Sequence, residues 1–187
     1  AEAGIPYDLA KAKQLLAEAG FPDGKGMRAI EILYNESEDH QLIAEAIQDM
    51  WKKGLGIEVA TNKQEWKVYL NSMTALNYDV VRAGWIADFL DPMNYCECFT
   101  TGNGNNRTGW SNAEYDALEK KARYEIDPKQ RFAYMQDAER ILLSQTPIIP
   151  IYTYRQRYLV SPELEGCDGN VLGYMNYKYM SVARNQP

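Results

Sequence analysis

The chain has 187 residues and a formal net charge of −6 at pH 7, with 45% hydrophobic and 25% charged residues. This balance is ordinary for a folded domain that buries its own core without disulfides or a structural metal. The acidic charge and the lack of a long basic patch argue against nucleic acid as a partner. No apolar run approaches the roughly 20 residues that span a bilayer. The start, Ala1-Glu2-Ala3-Gly4, does not resemble a signal peptide, so we expect a mature or excised piece.

The three cysteines give no sign of a metal site or of a disulfide framework. Cys96 and Cys98 are separated by one residue, and Cys167 lies far from both. A zinc site would need a second pair of cysteine or histidine ligands, and the sequence does not supply one. We therefore interpret the cysteines as unpaired thiols or an incidental pair, and we expect no metal and no cofactor.

Hydrophobic periodicity predicts an alternation of helices and strands as far as Trp85. The expected helices cover residues 8–19, 39–53 and 64–76, and the expected strands cover 27–34, 57–60 and 78–81. Asp8 is placed to cap the first helix, and Gly20 and Gly56 are placed to end helices. This rhythm is typical of an α/β layer, and we expect a mixed sheet with flanking helices.

After Trp85 the pattern changes to a long polar connection over residues 86–110, which is typical of a functional or flexible segment. Two helices are expected next, one over 112–125 from the cap Ser111 and one from Pro128 to about Ser144. An apolar strand carrying three tyrosines is then expected after Pro150; they are Tyr152, Tyr154 and Tyr158.

No residue combination gives a specific sign of catalysis. His40 is the single histidine, and no nucleophile motif accompanies it. Asp88 and Asp91 could form the carboxylate pair of a glycoside hydrolase, but spacing along the sequence does not show their separation in space. We therefore expect a protein that is not an enzyme, with a carboxylate-pair hydrolase as the less favoured alternative.

The stretch from Arg82 to Pro92 places a tryptophan and two acids just after a predicted strand. Ligands of open α/β sheets bind at the carboxyl ends of the strands. An acid beside an indole offers an ammonium group both a counter-charge and an aromatic wall. The alternative is a loop in which Trp85 fills the core and Asp88 and Asp91 cap turns. The residues alone leave both interpretations open.

Four blocks of the sequence resemble the oligopeptide-binding branch of the family 5 extracellular solute-binding proteins. The resemblance covers nearly the whole chain, and the blocks follow in the family's order. They are the opening segment from Tyr7 to Pro22, the Gln64-Glu65-Trp66 segment followed by Arg82-Ala-Gly-Trp85-x-Ala-Asp88-x-x-Asp-Pro92, the Thr108-Gly-Trp-Ser-Asn-x-Glu-Tyr-Asp116 block, and Pro147-Ile-Ile-Pro-Ile-Tyr152.

The resemblance implies one lobe of a two-lobed clamp of the type II periplasmic binding proteins. Residues 1–160 would form the second, ligand-binding lobe, and residues 161–187 a tail that returns toward the absent first lobe. The implied function is extracytoplasmic capture of oligopeptides and delivery to the permease subunits of an ABC-type importer. We expect a monomer, either periplasmic or lipid-anchored on the outer face of the cytoplasmic membrane.

The resemblance also implies roles for individual residues. Asp88 matches the acid that binds the α-amino group of the peptide, while Arg82 and His40 match positions that can meet its carboxylate. Trp66 and Trp85 match aromatic walls of side-chain pockets. The same fold serves many ligands, so a lobe tuned to a dipeptide, nickel chelate, haem or sugar is the alternative within the family.

Overall fold

The computed structural model describes residues 4–155, 157–169 and 172–183. The helices are α1 (Leu9–Glu18), α2 (Glu38–Leu55), α3 (Trp66–Thr74), α4 (Met93–Cys96), α5 (Ala113–Tyr124) and α6 (Pro128–Gln145). The strands are β1 (Ile30–Asn35), β2 (Val59–Gln64), β3 (Val80–Val81), β4 (Leu164–Glu165) and β5 (Ser181–Val182). None of the helices in the described residues is long and apolar enough to cross a bilayer. The described chain divides into two compact units, one of residues 1–84 and 101–111 and one of residues 85–100 and 112–187.

The helix ends follow local rules that the sequence predicted, with one correction. The Asp8 carboxylate accepts a hydrogen bond from the Lys11 backbone N–H at 2.8 Å, as expected of a helix cap. Gly56 ends α2 in the left-handed conformation, with φ of 70°. The expected cap Ser111 is wrong by one residue, because Asn112 caps α5 and its Oδ1 accepts from the Glu114 and Tyr115 N–H groups.

The sheet of the first unit has three parallel strands in the order β2-β1-β3. Ile32 at the centre of β1 lies opposite Thr61 of β2 and Val80 of β3. Parallel strands need crossover connections, and helices α2 and α3 supply them here. The α/β class is confirmed. The expected mixed sheet does not occur among the described residues: the three-stranded sheet is parallel throughout, and antiparallel pairing occurs in a separate ladder of β4 and β5.

Both faces of the β1 strand are buried, because successive side chains point to opposite sides. Ile32 and Tyr34 pack in a core with Ala44 of α2. Leu33 packs on the other side with Tyr69 and Met73 of α3. The sheet therefore carries a helix on each face, α2 on one and α3 on the other.

The expected strand after Pro150 is wrong for the described residues, which form none at 151–155 or 157–160. A strand needs a neighbour to pair its backbone groups, and none lies alongside in the described part of the chain. Tyr152 and Tyr154 instead meet edge to face with ring centroids 5.0 Å apart. The proposed division into a lobe and a tail at residue 160 stays a prediction.

The second unit is held together by an ion pair between a turn and a helix. Both Nη atoms of Arg131 on α6 donate to the Asp91 carboxylate at 2.9 Å, and Arg131 Nε donates to the Ala122 carbonyl of α5 at 3.1 Å. Asp91 also accepts from the Met93 backbone N–H at 2.8 Å. The Arg131 guanidinium and this N–H hold the pKa of Asp91 below its ordinary value of 3.8, against an opposing effect of burial.

We predict that Asp91→Asn lowers the free energy of unfolding by about 1–3 kcal/mol, because it leaves a partly buried guanidinium without its bidentate partner. Denaturant unfolding at pH 7 measures this change. Asp137→Asn is the matched control, since Asp137 pairs with Arg140 on the exposed face of α6. Its cost should stay below about 0.5 kcal/mol.

The difference between wild type and Asp91→Asn should also depend on pH. A carboxylate with a lowered folded-state pKa stabilises the protein above its ordinary pKa, and this contribution is lost as pH falls through the folded-state pKa. The two proteins should therefore differ most above about pH 4 and converge in stronger acid. A constant difference across that range would contradict the role of the ion pair.

Candidate functional site

The turn after β3 is built around one buried side chain, Asn94 of α4, which is 1% exposed. Its Oδ1 accepts a hydrogen bond from the Trp85 indole Nε1 at 2.7 Å and another from the Asp88 backbone N–H at 3.1 Å. The Cys98 thiol donates to the Asn94 carbonyl at 3.2 Å. The Trp85 indole and the Asp88 backbone N–H thus donate to the same oxygen atom of Asn94.

Asp88 differs from Asp91 in what its carboxylate contacts. Asp88 is exposed, and its carboxylate makes no hydrogen bond or ion pair within the described residues. The Asp91 carboxylate is committed to Arg131 and to the Met93 N–H. A glycosidase needs one carboxylic acid with a raised pKa, and the pKa of Asp91 is lowered. The arrangement therefore suits recognition of a cation by Asp88 better than acid–base chemistry by the pair.

The first unit brings the other three predicted residues into one connected group. Arg82 directly follows β3, and its carbonyl accepts a hydrogen bond from the Tyr69 hydroxyl. The ring of Trp66 stacks on that of Tyr69, with centroids 5.6 Å apart and an interplanar angle of 27°. Trp66 is 54% exposed, so one side of its ring remains available to a ligand.

His40 lies in the first turns of α2, just beyond the carboxyl end of β1. Burial lowers its pKa below the ordinary 6.5, and the positive charge of Arg82 lowers it further. A backbone hydrogen bond at Asn35 and the charge of Asp39 oppose these effects in part. The lowered pKa favours the uncharged imidazole, a form that can donate one hydrogen bond. Its Nδ1 is buried and has no hydrogen-bond partner among the described residues.

Sequence reasoning missed Arg107, which lies in the polar run after residue 100. Its Nε is buried without a hydrogen-bond partner in the described part of the chain, and its carbonyl accepts from the Tyr78 hydroxyl. The charges of Arg82 and Arg107 both act on the Tyr69 hydroxyl, although burial raises the pKa of Tyr69 overall. A lone cation within a run of glycine, asparagine and threonine was the one signal that could have identified Arg107.

The five predicted site residues are divided between the two units. Trp85 and Asp88 meet at Asn94 in the second unit, whereas His40, Trp66 and Arg82 belong to the first. At these positions the second unit has a carboxylate, Asp88, and the first unit has one guanidinium group, Arg82.

The cysteines offer no reactive or metal-binding group to this site, although the Cys98 thiol donates to the Asn94 carbonyl. Cys96, Cys98 and Cys167 are free thiols. Burial raises the pKa of Cys96 and of Cys98 to about 11, which leaves both protonated and unreactive at neutral pH. Within residues 4–155, 157–169 and 172–183, no cluster of three or more potential ligands could hold a metal ion.

The chain is similar to known peptide-binding proteins. The chain is 40% identical over 177 residues to the dipeptide-binding protein DppE of Bacillus subtilis, a match that covers 94% of this chain and 32% of DppE. The Escherichia coli murein tripeptide binding protein MppA superimposes with a TM-score of 0.86 at 34% identity, over 98% of this chain and 38% of MppA. Haemophilus influenzae OppA in complex with RPPGFSPFR superimposes with a TM-score of 0.84 at 32% identity, over 94% and 35%.

The chain thus spans about a third of the length of the curated relatives it matches. Its residues 1–107 match the model of the bacterial extracellular solute-binding proteins, family 5 Middle. The solved structures it resembles are periplasmic binding proteins of type II, as the sequence predicted. The chain belongs to the bacterial extracellular solute-binding proteins of family 5.

Proposed function

We propose that the full-length protein containing this chain captures oligopeptides outside the cytoplasm and delivers them to an ABC-type peptide importer. Membership of a family of solute-binding proteins supports this role, as do relatives named for dipeptide, murein tripeptide and oligopeptide binding. The protein would act in the periplasm or from a lipid anchor on the outer face of the cytoplasmic membrane, as a monomer that meets the permease subunits.

The observation that carries the proposal is the unpaired Asp88 carboxylate beside Trp85. A carboxylate that makes no hydrogen bond or ion pair within the described residues keeps its capacity to bind an external cation. A peptide α-ammonium group has three donors and a full charge, and charge-assisted hydrogen bonds are about twice as strong as neutral ones. The indole of Trp85, 36% exposed, offers a wall beside that group. Asp88 is therefore the proposed receptor for the peptide amino terminus.

The cationic residues of the first unit suit the other end of a peptide. Arg82 can bind a carboxylate with two parallel N–H groups, and the neutral His40 can donate one further hydrogen bond. The buried Nε of Arg107 is a donor that has no acceptor among the described residues. A buried donor without a partner costs about 1–3 kcal/mol, so a ligand oxygen that bonded it would gain from that contact. We include Arg107 in the proposed carboxylate subsite.

Trp66 and Trp85 are the proposed walls of side-chain pockets. Both rings are partly exposed, and each is fixed on one side, Trp66 by stacking on Tyr69 and Trp85 by its hydrogen bond to Asn94. A fixed aromatic face contributes contact area at low entropic cost and without strong side-chain selectivity. Such walls suit a protein that accepts many peptide sequences and reads mainly the peptide ends.

We predict that Asp88→Asn in the full-length protein weakens binding of a free tripeptide or tetrapeptide about 30-fold or more. The substitution keeps the shape and removes the counter-charge of the ammonium group, a loss of about 2–5 kcal/mol. Isothermal calorimetry measures it. Asp137→Asn, on the exposed face of α6, is the matched control and should leave affinity unchanged.

An acetylated peptide should bind the wild type poorly and respond little to Asp88→Asn. Equal wild-type affinity for free and acetylated peptides would contradict the role of Asp88. That outcome would favour the alternative of a family member tuned to another ligand, such as a sugar or a nickel chelate.

We predict that Arg107→Gln weakens binding of peptides with a free carboxyl terminus by about tenfold or more, since it removes one charge-assisted contact. Peptides with an amidated carboxyl terminus should bind the variant and the wild type alike. Fluorescence titration against both peptide forms gives the comparison. Arg140→Gln, on the exposed face of α6, is the control. Equal losses for free and amidated peptides would show that Arg107 acts only through the fold.

A further inference from the structure

In the second unit one buried oxygen, Asn94 Oδ1, accepts hydrogen bonds from both Trp85 and Asp88. Asn94 is a buried polar residue in a four-residue helix, and its Oδ1 accepts from the Trp85 indole and from the Asp88 backbone. Both partners are N–H donors, so only the oxygen of the carboxamide can occupy this position. A carbonyl oxygen has two lone pairs, and here both have a partner.

The backbone of Asn94 is itself fixed on two sides. Its N–H donates to the Asp91 carbonyl at 3.0 Å, and its carbonyl accepts from the Cys98 thiol. Asp91 is in turn held by Arg131 of α6. A continuous chain of hydrogen bonds therefore leads from α6 through Asn94 to the turn that carries Asp88.

Burial of a carboxamide costs free energy unless its hydrogen bonds are satisfied, and the buried Asn94 oxygen is satisfied by the Trp85 indole and the Asp88 backbone. What an apolar residue could not do is fix the indole and the Asp88 backbone relative to each other. Groups that recognise a ligand need such support from residues that the ligand does not touch.

We propose that Asn94 is a positioning residue for recognition of the peptide amino terminus. It holds Trp85 and Asp88 in the geometry that binds an ammonium group. This inference rests on the proposed function. It extends that function by naming a residue that contacts no ligand and yet sets the preference for a free amino terminus. Asn94→Leu keeps the approximate volume and removes both acceptor contacts, while Asn94→Asp keeps an acceptor oxygen at that position.

Two measurements on the full-length protein test the proposal. The first is the ratio of affinities for a free and an acetylated peptide. The second is the indole N–H resonance of Trp85 in ¹⁵N-tryptophan-labelled protein, assigned as the peak that Trp85→Phe removes. Asn94→Leu should lower the affinity ratio about tenfold, shift the indole resonance toward that of a solvent-exposed indole and speed its exchange. Asn94→Asp keeps an oxygen acceptor for both donors, so it should keep the indole exchange of Trp85 slow and should not lower the affinity ratio.

Met93→Ala controls for loss of stability alone, because Met93 is 4% exposed in the core of the second unit and its side chain contacts neither donor group by a hydrogen bond. It should leave the affinity ratio unchanged. Asn94→Ser, whose hydroxyl is too short to reach both donors, serves as a second variant if Asn94→Leu does not fold, and it should change both readouts in the same direction.

If Asn94→Leu retains the wild-type affinity ratio or leaves the Trp85 resonance unchanged, the role of Asn94 is overturned. The proposed function would not be affected by that result. The same would follow if Met93→Ala reduced the ratio as much as Asn94→Leu does. A wild type without any preference for the free peptide would contradict the proposed function and, with it, this role for Asn94.

Discussion

Parallel pairing of β1 with both of its neighbours determines where the polar groups of the first unit lie. Because β2 and β3 run in the same direction as β1, all three strands end at one edge of the sheet. The segments that follow β1 and β3 carry His40 and Arg82, and α3, which follows β2, carries Trp66 and Tyr69. Helices α2 and α3 pack on the apolar residues of β1 and cover the two faces of the sheet. The edge where the strands end therefore remains for polar contacts.

In the second unit, hydrogen bonds among side chains and backbone groups position the polar residues. Hydrogen bonds from polar side chains fix its acidic turn. Arg131 holds Asp91, and Asn94 holds Trp85 and the Asp88 backbone. Two aspartates three residues apart thereby acquire different roles, one committed to the fold and one left without a partner in the described chain.

Local patterns allowed much of this to be predicted from the sequence. The 3.6-residue and two-residue periodicities located the helices and strands of the first unit, and Asp8 and Pro128 marked helix starts as expected. The strand expected after Pro150 failed because strand formation depends on a neighbouring strand as well as on composition. The pairing of Asp91 with Arg131 joins residues far apart in the sequence, so no local pattern could have revealed it. Nothing in the local sequence distinguishes Asn94, because its burial and its two donors depend on the fold.

Mass spectrometry of the ligands that co-purify with the full-length protein tests most directly whether it binds short peptides through their charged ends. We predict a mixture of short peptides with unmodified amino and carboxyl termini and varied side chains. Asp88 and the arginines would bind the ends, while the tryptophan walls would accept different side chains. Recovery of a ligand without an amino group, such as a sugar, a haem or a chelated metal, would contradict it.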